Sequence, residues 1–550
     1  MRRQNLRSVV RAALGHVENQ IEEFQRADCI QAHRRSDHWL DQRKRDMPEG
    51  LYFRTAVNVR CLIQGFVNSG NLSHIQHHGL TDVLPERHEC NHPHRQNDKA
   101  LRFAHASLLC YHGRMKTTST PRTGKWYKLD NAAIIVPCSA HGFDTRVFRI
   151  VCELKEPVVP NVLQHALEDT VVEFPHFNSA LRKGLFWYYL DGLNETASVT
   201  EDHEPPLSPL YFPGLQNLLY RVTYYENRIN LEMFHVLADG TGAFVFFRKM
   251  ITRYLSLVHH VEITDAASDI SSSSEKTTDA FAHYYQKMKS SQLKQMTSVK
   301  AYQLKGEKDE NQHNHLLEGI VSAKAVVELA HQHHTTVGIF LTSVYIASVV
   351  DGMTVQERKR PVVISVPVNL RQFFPSETAR NFFGVINIPY SAKDYDGSLD
   401  SIIPAVRKSF GDQLTPEKVA ATMNSYTKLV GNYAVKVVPL FLKEPVLTYY
   451  LSRAHSGVTA TLSNLERIRM APEIEEYIDH FAAFMTAPSM QVTVATYGDK
   501  LCIGSVTSFV NHDIMLRFYR RLTGMGLSVE LTTNDYDAVA VSRTPSDKGR

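Results

Sequence analysis

The sharpest change of hydrophobic period in the chain falls between residues 229 and 258. Ile229, Leu231 and Met233 alternate with Asn230 and Glu232, the period of a strand with one apolar face. That parity carries His235 onto the apolar face and predicts an imidazole directed into the protein. Beyond Ala238-Asp239-Gly240 the period becomes helical, with Phe244, Phe247, Ile251, Leu255 and Val258 spaced by three and four. A buried histidine at a strand end, followed by a tight Asp-Gly turn into a helix, is a corner suited to acid–base chemistry, because histidine titrates near neutral pH. The competing reading is a core histidine held by a backbone hydrogen bond beside an ordinary turn. The strand-to-helix setting favours the catalytic reading, since the same residues could have fallen anywhere.

The flanking patterns predict strands and helices in alternation. Ahead of the corner, 145–154 alternates as a strand, 160–174 has helical spacing and 184–190 reads as an aromatic strand. Residues 222–225 and 229–235 predict a hairpin through Glu226-Asn227-Arg228. The Ser-rich stretch 265–276 reads as a loop, and the polar stretch 302–315 as the crossing to a second unit. Residues 318–321 predict a short strand, with Ser322 as N-cap for helices over 323–334 and 336–350. His331, His333 and His334 fall at a helix C-terminus, a solvated position that suits imidazolium. PVVISVPVNL at 361–370 predicts a buried strand ending at Arg371, and further apolar runs lie at 385–388 and 459–465. Residues 491–496 and 501–506 predict a hairpin turning at 497–500. Asn511 is placed to cap a last helix through Leu522, and the tail after Asp535 reads as frayed.

Length and composition narrow the class. At 550 residues the chain exceeds one typical core, so two or more units are expected. No apolar run reaches the roughly 20 residues of a membrane span; the best, 437–451, is broken by Lys443 and Glu444. No apolar core followed by a cleavage site marks a secretory signal. Seven irregularly spaced cysteines do not form a disulfide framework, so a reducing, cytoplasmic setting is expected.

Residues 1–114 differ in character. They carry 17 Lys plus Arg against 12 Asp plus Glu, whereas the other residues carry 44 against 45, so the net positive charge sits here. Residues 8–27 have amphipathic helical spacing, and no sustained period follows. Basic and aromatic residues do not interleave, which argues against a nucleic-acid tail. His88, Cys90, His92 and His94 stand at i, i+2 spacing without a Cys-x-x-Cys pair, which argues against a metal site. The stretch reads as an unstructured basic extension outside the folded unit, and Met115 as a natural start for a shorter chain.

Four motifs carry a resemblance: His235-x-x-x-Asp239-Gly240, Val366-Pro367-Val368-Asn369-Leu370-Arg371, Asn381-Phe382-Phe383-Gly384 and Ser463-Asn464-Leu465. Together they resemble the chloramphenicol acetyltransferase-like superfamily, which includes acyl-CoA-dependent acyltransferases and peptide-synthetase condensation domains. Within it the chain looks most like bacterial alcohol acetyltransferase-type proteins. The resemblance covers 125–535 and implies an α/β fold of two similar mixed-sheet halves, 125–300 and 316–535, with flanking helices and a tunnel between them. It implies transfer of an acyl group, acetyl in the first instance, from acyl-CoA or an acyl carrier protein to a small alcohol or amine. His235 would be the general base. Asp239 and Gly240 would order the corner, with Arg371 as the partner of Asp239, and Asn464 would line the tunnel. Acyl-CoA enters as co-substrate, and neither a bound cofactor nor a metal is implied. Condensation domains usually carry a second histidine where this chain has Phe234, which favours the free-standing acyltransferase branch. The plant-type Asp-Phe-Gly-Trp-Gly motif is absent. The alternatives are a non-catalytic binding or scaffold protein retaining the fold, and a condensation-type partner of a carrier protein.

Overall fold

Among the described residues the alternating stretches pair into three sheets. The structure, a computed structural model, describes residues 122–263, 276, 279–284, 300–421, 423 and 437–534. The amphipathic stretch 8–27, the His/Cys group at 88–94, the proposed start at Met115, nearly all of the Ser-rich loop and the tail from Asp535 lie outside the described residues.

In the first half the strands are β1 (Arg122–Lys128), β2 (Val147–Leu154), β3 (Ser179–Lys183), β4 (Tyr188–Leu193), β5 (Thr200–Glu201), β6 (Tyr220–Tyr225) and β7 (Arg228–Phe234). The second half adds β8 (His315–Ser322), β9 (Val362–Asn369), β10 (Phe383–Tyr390) and β11 (Ala460–Ile468). It ends with β12 (Ile478–Met485), β13 (Met490–Tyr497), β14 (Lys500–Thr507) and β15 (Glu530–Thr533). The principal helices are α1 (Pro160–Val171), α2 (Gly240–His259), α3 (Ala323–Gln332), α4 (Val337–Val350), α5 (Ile403–Gln413), α6 (Leu440–His455) and α7 (Asp513–Gly524).

The fold is α/β with two lobes. A five-stranded mixed sheet runs β12-β2-β7-β6-β5, a seven-stranded mixed sheet runs β10-β9-β11-β13-β14-β8-β15, and β1-β4-β3 form a small third sheet. β12 comes from late in the chain yet pairs antiparallel with β2, Phe481 opposite Cys152 and Ala483 opposite Ile150. This exchange stitches the lobes together. Where they meet, a Cβ on Gly504 would run into the carbonyl oxygen of Ala483, so only glycine lets β14 and β12 approach so closely.

The apolar face of α2 becomes core: Phe246, Phe247, Met250, Ile251 and Leu255 are all buried, and α1 packs beside it. Burial of a phenylalanine side chain is worth roughly 1.5–3 kcal/mol, so a polar residue at 246 or 247 would loosen this lobe. On the other lobe α4 is apolar all round and buried from Phe340 to Val350, the expected state of a helix with no polar face. Among the described residues no single helix is long and apolar enough to cross a membrane.

The structure departs from local pattern in three places. The aromatic stretch 184–190 is the turn and second arm of a hairpin, with Gly184 N–H donating to the Trp187 carbonyl at 3.0 Å. Helix α7 has His512 rather than Asn511 at its N-cap; Asn511 Oδ1 accepts from the Asp513 amide at 3.4 Å. The polar face of β7 is not solvated. Asn230 and Glu232 are fully buried, and Glu232 accepts from Arg149 and Arg221 at 2.7 and 2.6 Å. A two-sided sheet with buried polar residues cannot be recognised from alternation alone, because alternation implies one wet face.

Candidate functional site

β7 delivers His235 as the first residue past its end, and Asp239 ends the short turn that follows. Leu237 N–H bonds to the Phe234 carbonyl at 3.0 Å, which closes this turn. Asp239, with extended backbone, is the N-cap of α2, and its Oδ1 accepts from the Gly242 amide at 2.8 Å. An aspartate here satisfies a free helix N–H and favours the positive end of the helix dipole.

The His235 ring is buried at 9% exposure between Phe148 and Phe383, with centroid separations of 5.4 and 5.5 Å. Its Nδ1 lies 2.9 Å from Asn381 Oδ1. Behind Asn381, its Nδ2 donates to Asp130 Oδ2 at 3.1 Å, while Asp130 Oδ1 accepts from the Ala133 amide at 2.8 Å. Arg380 lies 3.6 Å from the same carboxylate. Burial lowers the His235 pKa from its ordinary value; its own carbonyl, Asp239 and Asn381 oppose that shift, and Arg146 adds to it. The ring is therefore neutral at pH 7. Its Nε2 has no protein hydrogen bond among the described residues.

Arg371 meets Asp239. Its Nη1 donates to Asp239 Oδ2 at 2.8 Å, with both side chains largely buried. The same carboxylate oxygen accepts from the Phe382 amide at 2.7 Å. The rest of the guanidinium holds the loop between β9 and β10: Nε and Nη2 donate to the Thr378 carbonyl at 3.2 and 2.9 Å, and Nη2 to the Arg380 carbonyl at 2.7 Å. The ion pair thus clamps the start of α2 to the loop that presents Asn381. Asp239 makes no contact with His235 that would let it share a proton. The clamp also needs Gly242, where a Cβ would strike the carbonyl oxygen of Ala379.

A cavity of about 840 Å³ lies between the lobes, and His235, Asp239 and Gly240 are in its wall. Most of the lining is apolar, including Phe148, Ile150, Phe383, Leu451 and Leu465. Asn464 also lines it, but its Oδ1 is engaged by the Glu466 amide at 2.8 Å, across an irregularity in β11 where Glu466 takes φ 66°. Arg371 is not in the wall; it acts from behind through Asp239. A polar pair marks another part of the lining. Arg146, at φ 55°, offers its carbonyl to the His235 amide at 3.0 Å, pairs with Asp144 at 3.0 Å and places Nη2 3.3 Å from His455 Nε2. Among the described residues no cluster of three His, Cys, Asp or Glu is arranged to hold a metal ion.

Local pattern brought out His235, Asp239 and Gly240, and the resemblance brought out Arg371 and Asn464. Neither signal marks Asn381, Asp130, Arg146 or His455 as a site residue. Asn381 opens one of the four motifs, which was a usable signal. Nothing in the period or spacing ties Asp130 to Asn381, 251 positions later.

No family model and no curated protein sequence matches the chain. Its fold does match solved structures. The trichothecene 15-O-acetyltransferase of Fusarium sporotrichioides aligns with a TM-score of 0.50 over 73% of this chain and 95% of that one, at 10% identity. F. sporotrichioides TRI101, crystallised with coenzyme A and T-2, aligns with a TM-score of 0.50 over 72% of this chain and 97% of that one, at 12% identity. The chain shares the two-lobed fold of these acyltransferases.

Proposed function

We propose that the protein is an acyltransferase that moves an acyl group, acetyl in the first instance, from acyl-CoA to an alcohol or amine, with His235 as general base. One observation carries this reading: a buried, neutral histidine with Nδ1 engaged sits in the wall of a large, mostly apolar cavity between the lobes. Nε2 is then the nitrogen left for chemistry. It would take the proton from the acceptor O–H or N–H as that atom bonds to the thioester carbonyl carbon. Collapse of the tetrahedral intermediate breaks the C–S bond, and the proton passes to the departing thiolate. The products are an ester or amide and a free thiol.

Asp239, Gly240 and Arg371 serve the corner structurally in this proposal, and Asn464 shapes the cavity wall. The coenzyme A in the TRI101 crystals supports acyl-CoA as donor here. A carrier-protein donor is the second source, and Phe234 speaks against it: a condensation domain usually has histidine there, whereas this ring is fully buried and stacked on Tyr211. The four motifs support the alcohol acetyltransferase type as the finer assignment.

The test is acetyl-CoA with pooled alcohols and amines, read as acetylated product by mass spectrometry and as released thiol. His235→Ala should lower the rate by about 10²- to 10⁴-fold with little loss of fold. Full turnover in the folded variant would remove the assignment.

A further inference from the structure

We propose that Asn381 and Asp130 are positioning residues that dictate which nitrogen of His235 carries its proton, through a buried His235–Asn381–Asp130 relay; their effect on rate rests on the base role proposed above. A primary amide is two-ended: its oxygen only accepts and its nitrogen only donates. Which end faces His235 is set at the far side of Asn381. Asp130 and Asn381 are 0% and 1% exposed, so water cannot substitute for a missing partner. Asp130 Oδ1 already takes the Ala133 amide, and Oδ2 needs a donor that Asn381 Nδ2 provides at 3.1 Å. The amide oxygen must then face His235 Nδ1, at 2.9 Å. Two acceptors cannot share that contact, so Nδ1 bears the hydrogen and Nε2 the lone pair. A flipped amide would set oxygen against carboxylate, a mismatch in a dry site that no change of tautomer at His235 relieves.

The surroundings hold the relay in register. Arg371 clamps the loop on both sides of Asn381 through the Thr378, Arg380 and Phe382 backbone. Arg380 balances the Asp130 charge and is itself tied to the Lys128 carbonyl at 2.5 Å. The charged groups facing His235 are Asp239 and Arg146, and those facing Asp130 are Arg380 and Asp279. Burial raises the Asp130 pKa above its ordinary value; Arg380, the Ala133 amide and Asn381 offset this only in part, and Asp279 adds to it.

The test is nuclear magnetic resonance of full-length protein with nitrogen-15 histidine, using His235→Gln to identify the signal. The wild type should show Nδ1 protonated and Nε2 bare at pH 7. Asn381→Ala should introduce some of the other tautomer and lower kcat with acetyl-CoA about 10- to 100-fold, the size of loss seen when the outer partner of a metal-bound histidine is removed, with KM little changed. Asn381→Asp sets a carboxyl against Nδ1 and should raise the His235 titration, moving the acid limb of kcat/KM to higher pH. Asp130→Asn frees the amide to point either way and should give a mixed tautomer. If that variant does not fold, Asn381→Asp carries the test. A proton on Nε2 in the wild type would overturn the relay, as would an unchanged tautomer and acid limb in folded Asn381→Asp. A predicted tautomer together with full turnover in His235→Ala would overturn the base role and leave the relay standing.

Discussion

His235 and His480 are both buried on the five-stranded sheet, at 9% and 4% exposure, and their neighbours drive them in opposite directions. His235, at the end of β7, meets an amide oxygen and two phenyl rings, and burial keeps it neutral. His480, on β12, meets Glu318 through Nε2 and Asp479 through Nδ1, both at 2.8 Å. Burial opposes its charge too, but the hydrogen bonds and charges of Glu318 and Asp479 outweigh it and raise its pKa above the ordinary value. Two carboxylates, one on each nitrogen, call for two protons. His480 is thus an imidazolium fastening β12 of one sheet to β8 of the other, alongside Arg228, which reaches Glu153 and Glu318 at 2.5 and 3.1 Å. The lesson is that a buried histidine takes its role from the partners at its two nitrogens. Carboxylates on both sides make a structural cation, and a neutral acceptor on one side leaves a base.

The largest effect expected on the site side comes from breaking its clamp. Asp239→Ala or Arg371→Ala alone strands a buried charge and should cost on the order of 3 kcal/mol or more, with loss of activity because the Asn381 loop comes free. The double variant should be less damaged than the two losses added together, since the second change removes the stranded charge. Melts and rates for the four proteins measure this coupling; strict additivity would mean that the pair does not act as one clamp.

The contrasting prediction at the seam is smaller and depends on pH. A raised folded-state pKa means that the stability contributed by His480 is fully present below its unfolded value of about 6.5 and is lost as pH rises through the folded value. His480→Gln, which keeps a donor but not the charge, should cost on the order of 1 to 3 kcal/mol at pH 6 and less at higher pH, while leaving the rate per folded molecule unchanged. Denaturant melts across pH check it. A loss that grows with pH would reverse the assignment of charge.

These two histidines also show what could be read in advance. The inward face of His235 followed from the alternation of Ile229, Leu231 and Met233, and the turn into a helix at Asp239-Gly240 from the change of period; the capping role of Asp239 comes from the structure. Strand and helix periods are local, so most element positions followed from them, whereas the α/β class with two halves came from the resemblance. His480 drew no notice, because its partner Glu318 lies in another sheet and β12 joins β2 across more than 300 residues. Asn381 and Asp130 were hidden for the same reason. Both buried polar contacts join residues far apart in the chain and held by different sheets or the loops beside them, which leaves no trace in a periodicity of two or 3.6.

The most direct measurement is the pH dependence of kcat/KM for the wild-type protein with acetyl-CoA and an accepted alcohol. A base must be unprotonated to work, and His235 is held below the ordinary histidine value of 6.5 by its burial. Activity should therefore persist as pH falls past 6.5 and decline only beneath it. An acid limb at or above 6.5 would contradict a neutral, buried His235 as the group that takes the proton.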